Sequence, residues 1–168
     1  MMRWRMLKYV SIFLFGFLIF PNVLSSDTTK LMTIALVRPM VKISAKQMYF
    51  KSLDDVGTYY ATSTITVKAP IGMCFNITID AGQNYSGDSR CMKRINKPEL
   101  IPYQVFKDPG YSQQWGDSDF DNTFPYGTSL YGFTKSPITY FTAYGRVILQ
   151  EVPVPGIYID MLTVTIYY

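Results

Sequence analysis

GIYIDMLTVTIYY, residues 156–168, alternates apolar and polar side chains over most of its length. Leu162, Val164 and Ile166 fall on one face, and Met161, Thr163, Thr165 and Tyr167 fall on the other. A period of two residues is that of a half-buried β-strand, with the aliphatic set toward a core. A strand this long and regular is expected to lie inside a sheet with a partner on each side. The sequence shows no strand-forming segment after it. One row of its backbone N–H and C=O groups is therefore expected to stay open, and such an edge invites pairing with another strand.

The other end of the chain poses the complementary problem. KLMTIALVR, residues 30–38, also alternates, with Met32, Ile34 and Leu36 on one face and Leu31, Thr33, Ala35 and Val37 on the other. It precedes everything else that reads as sandwich. A spare strand at one end and a missing strand at the other fit a head-to-tail polymer, in which each subunit lends its first strand to the next. That contact is heterologous and generates an open filament rather than a closed ring. Pairing of 30–38 with the terminal strand of the same chain is the alternative, and the sequence leaves both open.

Between these ends the chain reads as all-β. No window carries helical periodicity with a cap, whereas short alternating runs recur between Gly, Pro, Asn and Asp clusters. The expected strands are 30–38, 40–44, 58–68, 73–80, 101–106, 138–150 and 156–168. The architecture they predict is a two-layer antiparallel sandwich of immunoglobulin-like size, lacking its last strand. In MCFNITID (73–80), Phe75, Ile77 and Ile79 are expected inside and Cys74 outside.

Residues 1–26 are set apart from the fold. Arg3, Arg5 and Lys8 precede an apolar run from Val10 to Phe20, then Pro21 and small residues ending at Ser25 and Ser26. The run is shorter than the ~20 residues that a membrane span needs, and the order of segments is that of a secretory signal. Removing those three cations from the 16 in the chain leaves 13 against 12 acids, so a basic surface for nucleic acid is not supported. Export to an oxidising compartment makes a disulfide between Cys74 and Cys91 the default expectation, closing a loop over 16 intervening residues.

The order of several short elements then suggests a family. FNITIDAGQN with the following SR.M, PYQVFKDPGYSQQWGD, YGRVILQ and PGIYIDMLTVTIYY together resemble the spore coat protein U domain. The resemblance covers most of residues 40–168 and rests on Tyr103, Val105, Phe106, Asp108, Trp115 and Gly116, followed by Gly156, Tyr158 and Asp160. It implies a structural subunit of an archaic chaperone–usher pilus. Such a subunit is an incomplete immunoglobulin-like sandwich that is exported through the periplasm, held by a periplasmic chaperone and polymerised by an outer-membrane usher into a surface fibre for adhesion and biofilm formation.

On that resemblance the chain divides into a signal at 1–26, a donor-strand extension at 27–39 and the pilin domain at 40–168. Leu31, Met32, Thr33, Ile34, Ala35, Leu36 and Val37 would be the donor strand. Leu162, Val164, Ile166 and Tyr168 would belong to the acceptor strand that binds first the chaperone and then the neighbouring pilin. The family usually places its bonded cysteines near Met40 and Lys68, where this chain has none, so Cys74 and Cys91 would be a relocated bridge.

Catalytic chemistry finds little footing. The chain has no histidine, which removes the Ser-His and Cys-His nucleophile pairs and leaves two cysteines short of a zinc site. No enzymatic activity, cofactor or metal is expected. Asp117, Asp119 and Asp121 alternate like calcium-loop ligands, but the loop glycine is Asn122 and the twelfth position is Thr128, so a solvated loop is expected. The fourteen tyrosines are read as strand residues with polar tips rather than as a sugar-binding surface. The alternative to a pilus subunit is a secreted or surface-associated monomeric β-sandwich that binds a ligand.

Overall fold

The structure is a computed structural model, and it describes residues 29–36 and 40–168. The expected signal at 1–26 lies outside the described residues, as do 27, 28 and 37–39 of the expected donor strand, Val37 among them. Residues 29–36 belong to a unit separate from the domain that follows. They have no regular secondary structure, and Leu31, Met32, Ile34 and Leu36 are exposed.

The domain is all-β and antiparallel. Its strands, among the described residues, are β1 (Lys42–Ala45), β2 (Gly57–Lys68), β3 (Cys74–Ile79), β4 (Arg90–Arg94), β5 (Leu100–Phe106), β6 (Leu130–Phe133), β7 (Ile138–Leu149), β8 (Tyr158–Ile159) and β9 (Val164–Tyr167). One sheet runs β1-β2-β7-β5-β4-β8 and the other runs β6-β3-β9. The two long strands β2 and β7 pair along their whole length, from Gly57↔Leu149 to Lys68↔Ile138. β-branched and aromatic residues at every second position suit both strands to this central place.

The core lies between the sheets. Ile65, Val67, Ala143 and Val147 of the larger sheet face Phe75, Ile77 and Ile79 of the smaller one, and all are buried. β3 therefore turns its aliphatic set inward, as its alternation predicts. At Gly145 of β7 the Met48 side chain and the Phe50 ring lie close over the inner face of the sheet, where a Cβ would meet them.

Two strands escape a sequence reading. β4 is RCMKR, too charged to look like a strand, yet Arg90 and Met92 turn toward the interior. β6 is short and carries Gly132, over which the Phe75 ring packs.

The terminal stretch also differs from expectation. Residues 156–168 do not form one strand. β8 pairs with β4 in the larger sheet, and β9 pairs with β3 in the smaller one. The segment changes sheets over Asp160–Thr163, where the strand is interrupted. Leu162, Val164 and Ile166 nevertheless keep their common face and pack against the core.

The expected disulfide is corrected. Both cysteines are free, Cys74 exposed and Cys91 buried. The reason is the path of β3. Cys74 opens the strand, whereas Cys91 follows Arg90, whose side chain binds the carbonyls of Ile79 and Asp80 at the other end. Five residue steps of extended chain are roughly 17 Å, far beyond the ~4.4–6.8 Å between Cα atoms that a disulfide spans. β3 and β4 are also in different sheets. The Cys74 sulfur instead accepts a hydrogen bond from the Tyr131 hydroxyl at 3.0 Å, and burial pushes the Cys91 thiol pKa up. Thiol titration of the folded chain is expected to show one fast thiol, Cys74, with Cys91 reacting only after unfolding. Finding no reactive thiol in the unfolded, unreduced chain would restore the bridge.

Candidate functional site

The site begins with an unpaired edge. β9 pairs with β3 on one side; on its other side β1 of the larger sheet comes close, but among the described residues no strand hydrogen-bonds to β9 there. Asp80 N–H donates to Thr163 C=O at 3.1 Å, while Ile79 N–H points away from β9, to Gly116 C=O. Antiparallel pairs alternate between bonded and non-bonded. The register Thr78↔Thr165 and Asn76↔Tyr167 therefore continues the bonded set begun at Asp80. The N–H and C=O groups of Val164 and Ile166 are thereby left facing the open edge, while their side chains face the core.

Beside that edge lies a groove of about 860 Å³. One wall is the segment 45–54 after β1, and the other is the segment 152–164. Its floor is the core itself: Ile65, Ile79, Ile101, Tyr103, Val105 and Ala143. Leu162 and Val164 line it, and Ile166 packs against the core farther along β9. Tyr168, expected with them, is not in the groove; it is 68% exposed at the end of the chain. Two hydroxyls at the floor of the groove are already engaged. The Ser63 hydroxyl donates to Lys46 C=O, and the Tyr103 hydroxyl donates to the Asp160 carboxylate at 2.7 Å.

The wall at 160–163 is fixed by the loop after β3. The Asp160 carboxylate accepts hydrogen bonds from Tyr103, from Asn84 N–H at 3.2 Å and from the Asn84 amide at 2.9 Å. The Asp80 carboxylate accepts from Gly82 N–H at 3.0 Å and from Thr163 N–H at 2.8 Å, and Gln83 N–H donates to Met161 C=O. Gly82 has a φ of +82°, and a Cβ on it would overlap the Asp160 carboxylate. Burial, and then the hydrogen bond to Asp160, hold the Tyr103 phenol pKa far above its ordinary value.

Arg90 joins the two sheets at the same end. It is fully buried, and its guanidinium donates to the carbonyls of Asp80 (2.8 Å), Ile79 (2.7 Å) and Trp115 (2.9 Å). The Phe124 ring lies 3.8 Å from it. Burial lowers its pKa to about 10, which leaves it charged at neutral pH. Trp115, also fully buried, donates its indole N–H to Ile77 C=O and its backbone N–H to Val105 C=O, one in each sheet.

The remaining motif residues are likewise architectural. Gly116 lies against the backbone of Gly127, and Gly156 lies against the Arg94 side chain. Tyr158 donates to Val154 C=O, and Asp108 caps its own loop through Ser112 and Gln113.

The three alternating aspartates do not converge. Asp117 is buried rather than solvated and binds Thr123 and the Phe124 N–H. Asp119 binds Ser129, and Asp121 accepts from the Tyr167 hydroxyl. Among the described residues no group of three or more His, Cys, Asp or Glu is placed to hold a metal ion. Sequence reasoning did not single out Arg90, Asp80 or Asn84. The available signal was an arginine at an inward position of the run RCMKR.

The pattern of the Spore Coat Protein U domain matches residues 42–165, which is most of the chain and includes the motif residues just described. The chain belongs to the Spore Coat Protein U domain family. Comparison with curated proteins found no match. Among solved structures, the chain is similar to the CsuC–CsuE chaperone–tip adhesion subunit pre-assembly complex from archaic chaperone–usher Csu pili of Acinetobacter baumannii. The TM-score is 0.55 at 17% identity, and the match covers 79% of this chain and 40% of that one. This chain thus spans about two fifths of the length of its structural neighbour. A chaperone–tip adhesin complex of CFA/I fimbriae matches with a TM-score of 0.35 at 12% identity, over 74% of this chain and 41% of that one.

Replacing Tyr103 by Phe removes the Asp160 bond without changing shape. It is expected to cost about 1 kcal/mol by urea denaturation, because a partly buried carboxylate oxygen loses its donor. A phenol whose pKa is raised by folding stabilises fully below its unfolded value of 10.0, and that stability is lost as pH rises. The gap between wild type and Tyr103→Phe should therefore be constant from about pH 6 to 9 and narrow above about pH 10. A gap that narrows on acidification instead, or no gap at all, would contradict this assignment. Arg90→Lys should fail to rescue Arg90→Met, since a lysine cannot reach three carbonyls with a fixed fork.

Proposed function

We propose that the chain is a structural subunit of an archaic chaperone–usher pilus, polymerising head-to-tail by donor-strand exchange into a surface fibre that supports adhesion and biofilm formation. The observation that carries this reading is an open strand edge beside an apolar groove, in a member of this family. A periplasmic chaperone would cover the edge first. An outer-membrane usher would then exchange it for residues 27–38 of the next subunit. Export would depend on the signal at 1–26.

The groove also favours one face of the donor. Its floor is largely aliphatic and the two hydroxyls there, of Ser63 and Tyr103, are already bonded, so Thr33 at the floor would bring in a hydroxyl without a partner. Met32, Ile34 and Leu36 form the wholly apolar alternative and would enter the groove, with Leu31, Thr33, Ala35 and Val37 turned outward. Burying each of the three would contribute about 1.5–3 kcal/mol.

Expressed together with chaperone and usher, the intact chain is expected to form surface fibres. Deleting residues 29–36 should abolish extension while leaving the subunit bound to its chaperone. Ile34→Asp should mimic the deletion, and Thr33→Asp should be tolerated. Fibres of normal length from the deletion would exclude donor-strand exchange through this segment, and a chain that is stable and monomeric without chaperone, with or without the deletion, would favour a self-complete sandwich. Sensitivity at Thr33 but not at Ile34 would reverse the donor face.

A further inference from the structure

The outward face of the six-stranded sheet lies away from the groove, and it has an unusual balance of charge. The six strands contain no Asp or Glu. Their cations other than the buried Arg90 are Lys42, Lys68, Lys93, Arg94 and Arg146. Arg94 is ion-paired with Glu99, the one ion pair among the described residues. Lys42 and Lys68 stand directly opposite each other in the β1–β2 register. Like charges at a cross-strand pair destabilise the sheet, and here no carboxylate offsets the cost.

The same face carries aligned aromatic rings. Tyr60 is paired with Arg146, Thr62 with Tyr144 and Thr66 with Tyr140. Tyr60 and Tyr140 are more than half exposed. Tyr111 adopts a φ of +53°, unusual for a tyrosine, on a loop pinned by the Asp108 carboxylate through the N–H groups of Ser112 and Gln113. Its ring lies 4.7 Å from Tyr60, edge-on to Phe106 and Tyr144. Arg146 is held in place by two hydrogen bonds to Gln104, above the Phe106 ring. Thr62, Thr64, Thr66 and Thr142 share this face in the β2–β7 register. From Tyr60 to Lys68 the stripe is roughly 26 Å long.

We propose that this face binds an acidic polysaccharide. Tyrosine rings stack on the apolar faces of sugar rings while their hydroxyls remain wet. Threonines donate and accept hydrogen bonds. Unpaired lysines complement carboxylates spaced along the chain. Charge density argues against nucleic acid: duplex DNA carries a negative charge about every 1.7 Å, whereas this face offers one lysine pair and a few scattered cations over its whole length. The inference does not depend on donor-strand exchange, since the groove and its strand edge are not part of it.

Alginate is the acidic probe, with dextran as the neutral one and a single-stranded oligothymidine as the nucleic acid. Calorimetry or affinity electrophoresis on the intact chain is expected to show alginate binding that weakens with salt, little binding of dextran, and weaker binding of oligothymidine than of alginate. Lys42→Gln with Lys68→Gln should weaken alginate binding about tenfold and flatten its salt dependence. Tyr60→Ala should weaken it while leaving the salt dependence unchanged. Lys97→Gln, in the β4–β5 turn, should change nothing. No alginate binding, equal binding of dextran, tighter binding of oligothymidine, or insensitivity to both the lysine and the tyrosine variants would overturn the proposal.

Discussion

The structure depends on one crossing. The segment from Gly156 to Tyr168 starts in the larger sheet and ends in the smaller one, and it can do so only because residues 160–163 bind a loop rather than a neighbouring strand. Two carboxylates make that possible. Asp160 gathers Tyr103 and Asn84, and Asp80 gathers Gly82 and Thr163. Polar groups withdrawn even partly from water cost free energy unless they are bonded, and once bonded they specify a single arrangement. Arg90 and Trp115 complete it by tying carbonyls of both sheets to the same end of the sandwich.

What the crossing leaves behind is the groove. β8 remains on β4, β9 is carried over to β3, and the space between the C-terminal segment and residues 45–54 stays open down to the core. Met48 and Phe50 cover part of the inner face at Gly145 but do not fill it. Aliphatic side chains and a row of backbone groups thus meet at one place, which is the chemistry a β-strand satisfies on both counts at once. A small ligand would engage the apolar floor without matching the backbone edge.

Much of this was legible in the sequence. The two-residue alternation of 58–68, 138–150 and 73–80 fixed strands, faces and the all-β class. The aliphatic set Leu162, Val164 and Ile166 was correctly turned toward the core. What alternation cannot report is which sheet a strand joins. Asp160 looks like any outward polar residue, and the sheet change at that point depends on Asn84 and Tyr103, which are distant in sequence. The cysteine pairing failed for a related reason, because a short interval in sequence became opposite ends of an extended strand. β4 was hidden by its own inward arginine. The tyrosines read as scattered strand residues until the β2–β7 register aligned three of them on one face.

Amide hydrogen exchange at Val164 and Ile166 tests the central claim most directly, because only these N–H groups of β9 face the open edge. In the dilute monomeric chain they are expected to exchange fast while Thr165, bonded to β3, exchanges slowly. Adding a peptide of residues 29–38 should slow Val164 and Ile166 to the rate of Thr165. Slow exchange at both residues in the isolated monomer would mean that the chain covers its own edge. Unchanged exchange with saturating peptide would mean that the edge is not where a strand is added.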